Sequence, residues 1–149
     1  MNEMDRLVKI LIDKKKTIAS MESCTGGEFA SMVTNVEGAS EVMKFSAVTY
    51  CDEYKIKMGV DREIIDKYSV YSMEVAKCMS KRISEYSDSD YGVGITGEIN
   101  SGNNLVFVSI YDRDSDRCYG LSVEMVNGKR IDNKIMIVNN IVKVMLGIV

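Results

Sequence analysis

The residues best equipped for chemistry lie in Glu22-Ser23-Cys24-Thr25-Gly26-Gly27, a serine and two glycines between an apolar run and a helical pattern. A serine at such a junction is a candidate nucleophile, and glycines there let backbone N–H groups come close to a ligand. The segment is not a Walker A loop, which needs Gly-Lys-Ser/Thr, nor a G-x-S-x-G nucleophile elbow. A serine needs a base, and the chain contains no histidine. That excludes every Ser-His-Asp and Cys-His mechanism and most catalytic zinc sites. Tyr50-Cys51-Asp52-Glu53-Tyr54-Lys55 supplies a tyrosine and a lysine together. Free lysine titrates near ~10.4, so Lys55 serves as base only if burial or a neighbouring cation lowers it by several units. A further candidate is Thr96 of Ile95-Thr96-Gly97, at the end of a strand pattern, where α/β sheets present ligand groups. Each segment also has a plainer reading: a tight strand-to-helix turn, a solvated lysine at a helix start, and a threonine satisfying its own turn.

Bringing these segments together requires strands that end beside one another. Thr17–Met21, Phe45–Tyr50 and Tyr91–Thr96 read as strands, each followed by a turn. Met4, Leu7, Val8, Leu11 and Ile12 recur at helical spacing and predict a first helix. A second helix is expected from Glu28 to about Thr34, with Thr25 and Glu28 at the spacing of a capping box. Asp61 is placed to cap a short helix through Ile64 and Ile65, and Ser72 a longer one buried along Met73, Ala76, Met79 and Ile83. Leu105–Tyr111 and Cys118–Met125 flank a polar turn and predict an antiparallel hairpin. A last helix is expected to bury Ile131, Ile135, Val138, Val142 and Met145. Early alternation with a late hairpin predicts a three-layer α/β/α sandwich around a mixed sheet. Asp112, Asp114 and Asp116 open like a calcium loop, but Arg117 stands where glycine is needed and Val123 where glutamate is needed, so a polar hairpin turn is expected.

The 149 residues fit one domain, expected to run over residues 1–149. Apolar residues make up 46% and charged residues 28%, enough for a core. A net charge of −3 offers no basic field for nucleic acid. No apolar run suits a bilayer and the first residues do not read as an export signal, so a cytoplasmic protein without membrane contact is expected. Cys24, Cys51, Cys78 and Cys118 form no CxxC pair and are expected to be reduced, buried small hydrophobes.

Taken in order, the motifs resemble the CinA C-terminal family. Its pattern reads ESCTGG, then Y-S-N-E-x-K with L-L-G-V, then V-S-x-E-V-A, then I-T-G-I-A-G-P-G-G, and G-D-R before the last helix. The counterparts here are Glu22–Gly27, Tyr50…Lys55 with Met58-Gly59-Val60, Tyr71–Ala76, Ile95-Thr96-Gly97 and Gly128-Lys129-Arg130. The resemblance implies hydrolysis of nicotinamide mononucleotide to nicotinic acid mononucleotide and ammonia, without metal or organic cofactor. It implies a homo-oligomer acting on a small pyridine nucleotide. It makes Ser23 the nucleophile, with Lys55, Tyr50 and Thr96 as its catalytic partners. Thr25, Gly26, Gly27, Gly97 and Arg130 are then expected to contact substrate. The chain departs from the pattern after Gly97, where Glu98-Ile99-Asn100-Ser101-Gly102-Asn103-Asn104 replaces the proline and most of the glycines. That departure keeps open a second reading, a binding or regulatory module of the same family without turnover. A purely structural subunit is the third.

Overall fold

The computed structural model describes residues 1–149. Helix α1 (Glu3–Lys14) opens on a reciprocal cap between Asn2 and Asp5 and buries Met4, Leu7, Val8 and Leu11. It leads into β1 (Ile18–Glu22), every residue of which is buried. Helix α2 (Glu28–Thr34) and a short 3-10 turn carry the chain to β2 (Met43–Val48). Three helices follow: α3 (Asp52–Lys57), α4 (Arg62–Tyr68) and α5 (Met73–Ser87). The chain then re-enters the sheet as β3 (Tyr91–Gly97), turns through the hairpin of β4 (Leu105–Asp112) and β5 (Arg117–Glu124), and ends in α6 (Arg130–Leu146).

The strands lie in the order β2-β1-β3-β4-β5, with β1 parallel to both β2 and β3 and the last two pairings antiparallel. Helices α1, α2 and α6 cover one face over a core that includes Leu7, Phe29, Ile95 and Ile137. Helix α5 covers the other, packing Val75, Met79 and Ile83 on Ala19 and Met21. This is the expected three-layer sandwich with a mixed sheet. No helix is long and apolar enough to cross a membrane.

Two features of this frame bear on the site. The chain leaves β1 toward β2 on one side and returns to β3 on the other, so a crevice opens at the carboxyl ends of β1 and β3. Helix α5 also sits unusually low on the sheet. A Cβ at Gly92 would stand 2.0 Å from Ser80 O, and one at Gly94 would stand 2.4 Å from Ala76 O. Only bare backbone fits beneath that helix.

Several local expectations are corrected. Thr25 and Glu28 form no capping box: Gly27 holds the N-cap position without a side-chain bond, and Thr25 Oγ1 donates to Glu22 instead. Asp61 occupies the cap position of α4 but turns its carboxylate toward Arg82, 3.6 Å away. Ser72 does cap α5, accepting from the Val75 N–H. On α6 the buried stripe runs through Asn133, Ile137, Val138, Ile141, Val142 and Met145, leaving Ile131 and Ile135 exposed. Of the four cysteines only Cys24 is buried, and none is paired. The aspartates of the hairpin turn have other partners, Asp114 taking Lys16 and Asp116 the Tyr111 hydroxyl.

Candidate active site

Ser23 follows the last residue of β1, whose Glu22 is paired with Val48 of β2 and Ile95 of β3. The Ser23 N–H extends that ladder by donating to Ile95 O, and the Thr49 N–H does so by donating to Glu22 O. Ser23 therefore stands between Thr49 and Thr96 at the carboxyl end of the parallel strands, in the crevice.

What fixes the turn is Glu22. Its carboxylate is fully buried, yet every visible demand on it is met. It accepts from Thr25 Oγ1 at 2.7 Å, from the Phe29 and Ala30 N–H groups at 3.0 Å each, and from Ser20 Oγ at 3.3 Å. Two of those donors are the orphan N–H groups of the first turn of α2, so the carboxylate caps the helix from the preceding strand. The start of α2 is thus occupied and is not an anion site. The N–H groups of Cys24, Thr25 and Gly27, by contrast, meet no acceptor within the protein.

Lys55 comes from α3 and is only 2% exposed. Its Nζ lies 2.9 Å from Ser23 Oγ and donates to Thr49 O at 2.8 Å. Burial pushes the Lys55 amine below its ordinary value, against the opposing pull of Asp52, Cys51 and Cys24. An amine held this way can give up its proton and accept one from the serine. The neighbouring Cys24 thiol is pushed the other way, up to about 12, chiefly by burial. A thiol so held stays protonated at neutral pH, and only the Ser23 hydroxyl of the two lies within hydrogen-bond reach of the Lys55 amine. Beside them Thr49 Oγ1 is buried without a partner.

Ser23 and Lys55 open into a cavity of about 120 Å³ whose walls include Tyr50, Asp52, Tyr71, Gly97, Glu98 and Arg130. Of the residues expected from sequence, Ser23, Lys55, Tyr50, Gly97 and Arg130 meet here. Tyr50 is 63% exposed at the mouth and bonds neither Ser23 nor Lys55. Arg130 donates to Ile99 O, tying the start of α6 to the cavity wall. Thr25, Gly26, Gly27 and Thr96 do not line the cavity. The hydroxyl of Thr25 serves Glu22, and that of Thr96 donates to Val70 O at 2.8 Å, anchoring the segment before α5.

The divergent loop after Gly97 is well held. Asn133, fully buried on α6, donates to Asn100 Oδ1 at 2.8 Å and Asn127 O at 3.0 Å, and accepts from the Asn127 N–H. Asn104 Oδ1 accepts from the Asn100 N–H, and its amide reaches Met125 O. Glu98 accepts from the Asn103 N–H. Its carboxylate lies where a Cβ on Gly102 would be, 1.6 Å from Oε2, and Gly102 has a φ of +52°. A side chain there would displace the Glu98 carboxylate and take a left-handed backbone, which glycine adopts without cost. Sequence reasoning gave no role to Glu22, Asp52, Tyr71 or the asparagines. An acid closing an otherwise apolar strand just before a helix was the signal available for Glu22.

Comparison with known proteins supports the same frame. Residues 2–109 match the CinA C-terminal domain family. The chain is 40% identical over 115 residues to a putative competence-damage inducible protein of Clostridium kluyveri, covering 72% of this chain and 28% of that one. It is 40% identical over 90 residues to a CinA-like protein of Endomicrobium trichonymphae, covering 60% and 21%. The match thus spans under a third of either relative. Among solved structures, a CinA superfamily protein from Escherichia coli superposes with a TM-score of 0.88 at 24% identity, covering 99% of this chain and 89% of that one. The competence/damage inducible protein CihA from Agrobacterium tumefaciens gives 0.87 at 21% identity, covering 99% and 96%. With most of its length matched in sequence and nearly all of it in fold, this chain belongs to the CinA C-terminal domain family.

Proposed function

We propose that the protein is an amidohydrolase in which Ser23 attacks a carboxamide with Lys55 as general base, the substrate class being a pyridine nucleotide such as nicotinamide mononucleotide. The observation that carries the reading is the 2.9 Å contact between Ser23 Oγ and a Lys55 Nζ that is almost fully buried. In the first half-reaction Lys55 takes the hydroxyl proton as Ser23 Oγ forms a bond to the amide carbon. The C–N bond then breaks, and Lys55 returns the proton to the leaving nitrogen, which departs as ammonia. In the second, Lys55 takes a proton from water, hydroxide adds to the acyl-serine, and Ser23 leaves reprotonated. Of the unpaired N–H groups in the turn, that of Cys24 belongs to a residue lining the cavity and is the candidate donor for the oxyanion or for a phosphate oxygen. Arg130 on the cavity wall is a second partner for phosphate.

The test is ammonia release from nicotinamide mononucleotide. The unaltered protein should release it and Ser23→Ala should lose at least about a thousandfold in rate. Full activity in Ser23→Ala rejects the serine mechanism. One observation favours a second reading: Glu98, an acidic residue of the loop that departs from the family pattern, is part of the cavity wall. If that loop has altered the pocket toward binding alone, the unaltered protein will bind the nucleotide and release no ammonia.

A further inference from the structure

Four asparagines knot the loop after Gly97 to the start of α6, and one of them differs from the rest. Asn100, Asn104 and Asn133 each commit both ends of the side-chain amide. Asn100 accepts from Asn133 Nδ2 at 2.8 Å and donates to Asn127 O at 3.1 Å. Asn104 accepts from the Asn100 N–H and donates to Met125 O. Asn133 accepts from the Asn127 N–H and donates to Asn127 O. Asn127 joins the knot through its main chain. Its carboxamide oxygen takes no hydrogen bond within the protein, and its nitrogen touches only Met136 Sδ at 3.9 Å, a weak acceptor.

Asn127 is also the one asparagine followed by glycine. The Gly128 N–H donates to no acceptor within the protein, and a Cβ built on Gly128 would meet nothing within 4 Å. An unbonded and uncrowded backbone nitrogen thus follows an uncommitted side-chain amide. That is the pairing in which a peptide nitrogen closes a ring on asparagine, since no side chain at the next residue hinders its approach.

We infer that Asn127 is a self-modification site, at which Asn127-Gly128 cyclises to a succinimide and reopens with water, chiefly to isoaspartate. Gly128 N bonds to Asn127 Cγ as the Cγ–Nδ2 bond breaks, and the Gly128 proton leaves with that nitrogen as ammonia. Water then adds to one of the two ring carbonyls and breaks its bond to the Gly128 nitrogen, which regains a proton. Opening at Cγ gives aspartate. Opening at the main-chain carbonyl gives isoaspartate, with the chain rerouted through Cγ. The surroundings favour the second outcome. Asn100 Nδ2 and Asn133 Nδ2 converge on Asn127 O, at 3.1 Å and 3.0 Å. Two donors on one carbonyl oxygen polarise it toward attack and suit the carboxylate oxygen it becomes. The product lengthens the main chain by a methylene just ahead of Arg130 and adds a negative charge to the amide knot.

Peptide mapping by mass spectrometry, on the unaltered protein kept folded in mildly alkaline buffer made with heavy-oxygen water, tests this. Heavy oxygen should enter at Asn127 faster than at any other asparagine, and isoaspartyl methyltransferase should methylate the same peptide. Gly128→Ala is the clean control, because the space is open and the backbone there is not left-handed. It should keep the fold and slow uptake at Asn127 by about tenfold or more. The ratio of isoaspartate to aspartate should be at least about twofold higher in the folded protein than in urea. Ser23→Ala should take up label as fast as the parent, which separates this reaction from the amidohydrolase reading. No uptake in the folded protein, equal uptake at Asn100, or a Gly128→Ala protein labelled as fast as the parent would each overturn the site. Loss of uptake in Ser23→Ala would overturn its self-contained chemistry, and an equal product ratio in urea would overturn the preference for isoaspartate.

Discussion

Two loops wall the Ser23 cavity, and they are held by opposite means. The turn from Glu22 to Gly27 is organised around one buried carboxylate that accepts from two hydroxyls and two helix N–H groups. The loop from Glu98 to Asn104 hangs mainly on the neutral amides of Asn100, Asn104 and Asn133, with the Glu98 carboxylate and the Arg130 guanidinium each adding a single backbone bond. A buried charge tolerates no vacancy among its donors, because a missing partner leaves it uncompensated in a poor solvent. Neutral amides satisfy one another in many arrangements, and loss of one costs less. The first loop keeps the family motif, and the second has drifted from it.

The sharpest way to break that contrast is at Lys55, which depends on the rigid turn. Lys55→Met should lower ammonia release by about a thousandfold or more, the loss expected when a general base is removed. The same variant should reveal what burying the amine does to stability. Its folded value is lowered, so between that value and the ordinary 10.5 the unfolded chain holds more protons and stability rises with pH. The parent should therefore gain on Lys55→Met as pH climbs toward 10.5, in thermal melts taken at several pH values. A difference that stays flat with pH would contradict the burial of a charged amine.

Glu22→Gln comes next. It keeps the shape but turns one acceptor into a donor facing other donors. A loss of about 2 kcal/mol is expected from urea midpoints. Ammonia release should fall by about a hundredfold as the serine shifts. An unchanged midpoint would show that the turn does not depend on the carboxylate. Asn133→Ala removes three bonds of the amide network and should cost about 1.5 kcal/mol, with KM raised more than kcat is lowered. If it instead matched Glu22→Gln in lost rate, the two loops would not differ in kind. The smallest effect is expected at Thr49→Val. Its hydroxyl is buried without a partner, so the change should leave the midpoint within about 0.5 kcal/mol or raise it.

Much of the frame was legible because periodicity reports burial. The fully buried strand β1, the hairpin and the helix from Glu28 to Thr34 follow from apolar spacing and turn residues. Where two patterns overlapped, spacing misled. Helix α6 carries isoleucines at 131, 135, 137 and 141, and only contact with α1 and α2 decides that the latter pair goes inward. The Thr25–Glu28 spacing likewise fitted a cap, but a carboxylate from the strand offered Thr25 and the helix a stronger acceptor. In the site, the absence of histidine narrowed the base to few residue types, and ordered motifs named Ser23 and Lys55. The burial of Lys55 was not readable locally, since Asp52, Glu53 and Lys57 make the short helix largely charged and α3 turns Lys55 inward only in the folded chain. Nor were the asparagines, whose partners are up to 33 residues away.

The bare backbone of β3 under α5 joins places that never touch. Any side chain at position 92 or 94 would wedge the helix upward, and its first turn would carry Ser72 and Tyr71 with it. The aperture over Ser23 is therefore set partly from the far side of the sheet, at two positions no ligand reaches. The shape of that cavity can change through the strand floor as readily as through the wall.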